Sequence, residues 1–164
     1  MFLPHLVKYL PKDSVVIDVG ANVGDTLAGM ASCNRRLNYV CIEASKEFFS
    51  DLEKNTELMR NQCKHLSVSL CNTFVGKDIN NIRLEGAGGT KHAVIGEGGL
   101  IRSKSMFSIL KELKINQSLI SLLKVDVDGF DWDVIRSSFE VIKHCPYIYF
   151  ECEYQDNKQL KSYK

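Results

Sequence analysis

The stretch Ser14-Val-Val-Ile-Asp-Val-Gly-Ala-Asn-Val-Gly24 decides the fold. Its first half is short, apolar and β-branched, the composition of a strand buried on both faces. Its second half places Gly20 and Gly24 around Asn22, where the chain must turn sharply and leave backbone close to whatever lies beyond the strand. Asp25 to Ser32 then reads as a helix with Leu27, Met30 and Ala31 on one face. Strand, glycine turn and helix in that order open a parallel α/β unit.

Outward from this unit the pattern recurs. A second strand at Asn38–Ile42 ends in Glu43, and Ser45 caps a helix from Lys46 to Arg60 with Phe48, Phe49, Leu52 and Met59 as its apolar face. A third strand at Leu66–Leu70 leads to Cys71-Asn72-Thr73. A helix near Ser105–Leu113 precedes a fourth strand at Leu122–Val127. The next helix spans Asp131–His144, with Trp132, Ile135, Phe139 and Ile142 expected on its buried face. A fifth strand at Pro146–Phe150 ends in Glu151. Strands that alternate with helices predict an α/β domain with a mainly parallel sheet and helices on both faces.

Between these elements, residues 75–102 lose their periodicity and carry six glycines from Gly86 to Gly99. This region reads as a glycine-rich loop or irregular hairpin, with short strands at Asn81–Leu84 and His92–Ile95 as the alternative. Residues 1–12 form an amphipathic lead-in bracketed by Pro4 and Pro11, and residues 152–164 a polar tail. No repeat or linker interrupts the chain, so one domain is expected over residues 1–164.

Composition excludes several classes. The chain has 164 residues, 45% hydrophobic and 25% charged, and a formal net charge of +1. A chain of this size buries about two-thirds of its unfolded surface without a disulfide or metal staple. A near-neutral balance argues against general nucleic-acid binding, which needs a strong basic field. No apolar run approaches the ~20 residues of a membrane span, and the first residues are too few and too uncharged for a signal peptide. The six cysteines, Cys33, Cys41, Cys63, Cys71, Cys145 and Cys152, include no Cys-x-x-Cys pair. A reduced, cytoplasmic protein without structural zinc is the expectation, with Cys41, Cys71 and Cys152 as small core residues.

In parallel sheets ligands bind beyond the carboxyl ends of the strands. Asp18, Gly20, Ala21, Asn22, Gly24, Glu43, Asn72, Asp126, Asp128 and Glu151 all fall there. Glu43, 23 residues after Gly20, stands where an acid can accept hydrogen bonds from both ribose hydroxyls of an adenosine ligand. A nicotinamide loop would read G-x-G-x-x-G, but Asn22 replaces its second glycine, and Asp18 puts negative charge where an ammonium suits better than a pyrophosphate. No G-x-x-x-x-G-K-[ST] phosphate loop exists. The turn therefore favours S-adenosylmethionine. In Leu123-Lys-Val-Asp-Val-Asp-Gly-Phe-Asp131, Asp126 and Asp128 flank a strand tip, where carboxylates can take an acceptor's proton or hold a divalent metal. Two aspartates are an incomplete metal set, so no metal residue is assigned and metal dependence stays open. Asp131 reads as an ordinary acid of a helix N-terminus.

Three of these segments together, Val16-Ile-Asp-Val-Gly-Ala-Asn-Val-Gly-Asp-Thr26, Ile42-Glu-Ala44 and Leu123-Lys-Val-Asp-Val-Asp-Gly-Phe-Asp131, resemble the successive motifs of the FkbM family of S-adenosylmethionine-dependent methyltransferases. The resemblance runs from about Asp13 to Glu151. It implies a Rossmann-like class I methyltransferase fold and O-methylation of a hydroxyl on a sugar, glycan or related small molecule. By that resemblance Asp18, Gly20, Ala21, Asn22 and Gly24 match the cofactor loop, and Glu43, with Ala44, the ribose site. Asn72 and Thr73 fall near the adenine position. Asp126 matches the acid beneath the methionine moiety and acceptor, and with Asp128 is the candidate catalytic pair. Asp128 departs from the family, where glutamate is usual. Few residues follow Glu151, so the family's closing strand hairpin is expected to be absent and the unpaired sheet edge to invite a homodimer. Two other functions remain open: an inactive S-adenosylmethionine-binding module acting through a partner, and a nicotinamide-dependent oxidoreductase.

Overall fold

At the centre stands β1 (Val15–Val19), every residue of which is buried. The computed structural model describes residues 2–33, 35–85, 92–95 and 101–150, without side chains for 79–85, 92–95 and 101. The parallel neighbours of β1 are β2 (Asn38–Glu43) and a strand at Ile120–Val125, buried along its whole length. β3 (Ser67–Asn72) continues the sheet beyond β2. In chain order the remaining strands are β4 (Phe74–Val75), β5 (Ile79–Glu85), β6 (His92–Ile95), β7 (Ile101–Lys104), β8 (Ile120–Val125) and β9 (Tyr147–Phe150). The main sheet has the order β3-β2-β1-β8-β9, parallel throughout.

Alternation along the central strands divides the core in two. Val16, Tyr39, Cys41 and Leu122 pack with α1 (Leu3–Leu6), α2 (Asp25–Ala31) and α3 (Lys46–Gln62) through Leu3, Leu27, Met30 and Leu52. Val15, Ile17, Val19, Val40, Ile42, Leu123 and Val125 face α4 (Met106–Glu112) and α5 (Asp131–Ile142) through Met106, Ile109, Leu110, Val134 and Ile142. Each fully buried aliphatic side chain contributes about 1.5–3 kcal/mol, which explains why continuous apolar runs settle at the centre. The lead-in belongs to this core as well, since Leu3, Val7 and Leu10 are buried.

Three expectations change. Residues 75–102 are not a plain loop: β4, β7, β5 and β6 form a second sheet in that order, with β5 antiparallel to both β6 and β7. The strands first offered as alternatives exist, and backbone pairing supplies the order that side-chain periodicity does not signal. The six glycines themselves lie outside the described residues. On α5, Trp132 and Phe139 are 50% and 57% exposed, and the buried stripe is Asp131, Val134, Ser138 and Ile142. The smaller residues Val134 and Ser138 let the helix dock closer than Trp132 and Phe139 would. On α3, Leu52 and Thr56 are buried, while Phe48 is partly exposed. Cys41 is buried and Cys71 half-buried. The polar tail, Cys152, Glu151 and the expected absence of a closing hairpin concern residues outside those described.

Candidate functional site

A cleft opens at the carboxyl ends of β1, β2, β3 and β8. Its described walls include Gly20, Asn22, Glu43, Ala44, Phe48, Thr73, Phe74, Asp126, Val127, Asp128 and Phe130.

The floor is the β1 turn, held by backbone bonds. The N–H groups of Gly20 and Ala21 both donate to the Ile42 carbonyl, at 3.0 and 3.1 Å. Gly20 has φ +75°, and a Cβ built on it would stand 1.9 Å from the Asp126 carbonyl oxygen. Glycine is therefore required on two counts: the left-handed backbone and the contact with the end of β8. Gly24, at φ +90°, rests on Leu52 of α3. Asn55 of the same helix donates to the Val23 carbonyl at 2.8 Å.

Glu43 is fixed by the turns on either side. Its Oε2 accepts from the Asn22 N–H at 2.9 Å and its Oε1 from the Ser45 N–H at 2.8 Å. A carboxylate offers about four acceptor sites, so each oxygen keeps capacity for a ligand hydroxyl. Asn22 reaches this geometry at φ +49°, in the left-handed region that asparagine tolerates better than most residues. Asp128 has φ +41° and is followed by Gly129 at φ +88°. Non-glycine residues in this region cost of order 1–3 kcal/mol each and cluster at functional sites.

Behind the floor lies a buried ionic cluster. Lys124 Nζ is 3.0 Å from Asp18 Oδ1, 3.3 Å from Asp126 Oδ2 and 3.0 Å from the Gly20 carbonyl oxygen. The side chains of Lys124 and Asp18 are 4% and 1% exposed, whereas that of Asp126 is 47% exposed. Burial pushes the Asp18 carboxyl up to about 6, with Lys124 pulling it the other way. For Lys124 burial favours the neutral amine, but Asp18 and Asp126 outweigh it and raise its pKa. Asp131 is buried too, with its pKa raised chiefly by desolvation.

The sequence-predicted residues thus divide. Gly20, Asn22, Glu43, Ala44, Thr73, Asp126 and Asp128 line the cleft. Asp18 does not: the charge expected to meet a ligand's ammonium is turned to Lys124. Ala21 is packed in the core and Gly24 caps α2. Asn72 spends its amide N–H groups on the carbonyls of Glu43 and Ala44, at 2.8 and 3.3 Å. Thr73 donates its hydroxyl to the Arg102 carbonyl at 2.7 Å, tying the first sheet to the second. The sequence reading missed four contributors. Phe74 and Phe130 meet edge to face with ring centroids 5.5 Å apart, and with Phe48 they give the cleft aromatic walls. Lys124 was legible as a lone cation in an otherwise apolar buried strand, which demands a counter-charge. Among the described residues no group of three or more His, Cys, Asp or Glu is placed to hold a metal ion.

The model of one family, the methyltransferase FkbM domain, matches residues 18–163. Among solved structures, the methyltransferase FkbM from Methylobacillus flagellatus KT superposes with a TM-score of 0.64 at 15% identity, covering 93% of this chain and 36% of that one. Precorrin-6y C5,15-methyltransferase from Geobacter metallireducens GS-15 superposes with a TM-score of 0.51 at 12% identity, covering 99% of this chain and 64% of that one. The chain therefore spans less than two thirds of the length of either. These likenesses establish the fold. No curated protein matches the chain.

Proposed function

Because the chain belongs to the methyltransferase FkbM domain family, we propose that it binds S-adenosylmethionine in the cleft and methylates a hydroxyl oxygen of a sugar, glycan or related small molecule. The observation that carries this reading is the charge of the cleft. Its described lining holds Glu43, Asp126 and Asp128 and no lysine or arginine. Such a lining suits a cationic sulfonium and repels a pyrophosphate, which argues against a nicotinamide cofactor.

The residues present fit the group. Glu43, fixed by two backbone N–H groups with acceptor capacity to spare, would hold the ribose hydroxyls. Ala44, Phe48, Thr73 and Phe74 would flank the base. When bound, S-adenosylmethionine supplies a methyl on a cationic sulfur: the C–S bond breaks as a C–O bond forms, and the acceptor hydroxyl sheds a proton. Asp126, half-exposed at the tip of β8, would take that proton, and Asp128 would orient the acceptor. Phe74 and Phe130 offer an apolar wall that excludes water and stacks on a ring. The free thiols of Cys33, Cys41, Cys63, Cys71 and Cys145 support a reducing, cytoplasmic setting. Among the described residues no helix is long and apolar enough to cross a membrane.

The test is transfer of a labelled methyl from S-adenosylmethionine to a panel of methyl glycosides. Label should appear on a hydroxyl oxygen. Asp126→Asn should keep its affinity for S-adenosylhomocysteine and lose about a hundredfold in rate. Transfer only to amine or thiol acceptors would contradict the oxygen assignment, and full activity in Asp126→Asn would remove the proton acceptor.

A further inference from the structure

Lys124 is a cation at a core position. Leu122, Lys124 and Asp126 alternate onto one face of β8, and Leu122 packs in the same core as Val16, Leu27 and Met30. Directly across the ladder, Lys124 pairs with Asp18. A lysine ammonium has three donors, and three oxygens surround this one: Asp18 Oδ1, Asp126 Oδ2 and the Gly20 carbonyl. Neutralising Asp18 alone would need only one of those contacts. The other two reach the β1 turn and the carboxylate that faces the cleft.

We propose that Lys124 is a positioning residue: its buried ammonium clamps the Asp126 carboxylate by Oδ2 to the cofactor-binding turn at Gly20. The inference rests on the reading above that Asp126 accepts the acceptor's proton, and it adds what fixes that group in place. The turn itself has independent anchors in the Gly20, Ala21 and Asn22 N–H bonds to Ile42 and Glu43. Losing the clamp therefore frees Asp126 more than it disturbs the turn. The effect should fall on turnover and spare binding, since misplacement of a reacting group by about 1 Å can cost about a hundredfold in rate.

Lys124→Met alone strands Asp18 in the core and threatens folding, so the decisive protein is the double variant Asp18→Asn/Lys124→Met, which removes both buried charges. Three readouts are taken on the full chain. The 13Cγ resonance of Asp126 should move or broaden relative to wild type, while the amide fingerprint of the sheet is kept. Affinity for S-adenosylhomocysteine should stay within about threefold, and the rate on any glycoside that wild type methylates should fall tenfold or more, up to about a hundredfold. An unchanged Asp126 resonance, or wild-type turnover in the double variant, would overturn the clamp and leave Lys124 a structural counter-ion. Failure of wild type to bind S-adenosylhomocysteine would instead sink the cofactor reading, and the Asp126 resonance would still decide the clamp. A double variant that does not fold moves the test to Asp18→Asn. There Lys124 keeps Asp126, so an Asp126 resonance displaced as far as a free carboxylate would overturn the proposal and an undisplaced one would support it.

Discussion

Asp18 and Glu43 stand two residues apart in register at the ends of neighbouring strands, since Asp18 pairs with Cys41 and Val19 with Ile42. Both are buried acids, yet they do opposite work. Asp18 turns inward to a buried ammonium, and its carboxylate is closed off from the cleft. Glu43 is held at both oxygens by backbone N–H groups and lines the cleft. An acid at a strand tip therefore has two uses, and the partner decides between them. A buried cationic side chain consumes the carboxylate's charge inside the fold, whereas fixed backbone donors orient it and leave the charge for a ligand.

The most damaging way to break this arrangement is Gly20→Ala. The added methyl would stand 1.9 Å from the Asp126 carbonyl oxygen on a backbone at φ +75°, and we expect a loss of more than about 4 kcal/mol, read as a collapse of the urea midpoint. Next comes Lys124→Met, which leaves Asp18 without its nearest counter-charge and should cost about 3–5 kcal/mol. The double variant Asp18→Asn/Lys124→Met should recover most of that loss. If the single and double variants melt together, Asp18 is not the partner that makes Lys124 necessary.

Asn72→Ala removes two side-chain bonds to the turn after β2 and should cost about 1–2 kcal/mol in stability. A variant with wild-type stability and lost ligand affinity would move Asn72 from scaffold to binding surface. A further effect is a drift with pH. Burial lifts the Asp18 carboxyl from 3.8 to about 6, so between those values the folded chain binds more protons at this site than the unfolded chain. The contribution of Asp18 is then fully present below pH 3.8 and is lost as pH rises to 6. Relative to Asp18→Asn, wild type should lose stability over that interval, measured by paired urea melts. The opposite slope would mean that Lys124 dominates burial.

The comparison also marks what could be read from the chain alone. The central strands, read at Ser14–Val19 and Leu122–Val127, were legible because apolar residues dominate a strand buried on both faces, although the second runs from Ile120 to Val125. Glu43 was legible because its spacing from Gly20 follows from one strand–helix–strand unit. The inward turn of Asp18 was not, because it depends on Lys124, which is distant in sequence and becomes a neighbour only through strand pairing. The second sheet was legible only in part, for a related reason. Asn81-Ile82-Arg83-Leu84-Glu85 alternates polar and apolar residues, and short strands there and at His92–Ile95 were offered as the alternative to a loop, but the sheet's order comes from backbone pairing between distant segments such as Ile82 and Ile101. On α5 the helical spacing pointed to Trp132 and Phe139 as buried, and only the docking against β8 and α4 selects Val134 and Ser138 in their place.

On the proposed reading, the fixed Glu43 carboxylate, in a cleft lined by acids, receives the ribose of an adenosine-bearing cation. Calorimetric titration of the full chain with S-adenosylmethionine and S-adenosylhomocysteine, with NADH as control, tests it directly when wild type is set beside Glu43→Gln. The first two should bind and NADH should not. Glu43→Gln should weaken both by about tenfold to a hundredfold, the loss of hydrogen bonds to a charged group. Equal affinity in Glu43→Gln, or binding of NADH in place of S-adenosylhomocysteine, would contradict it.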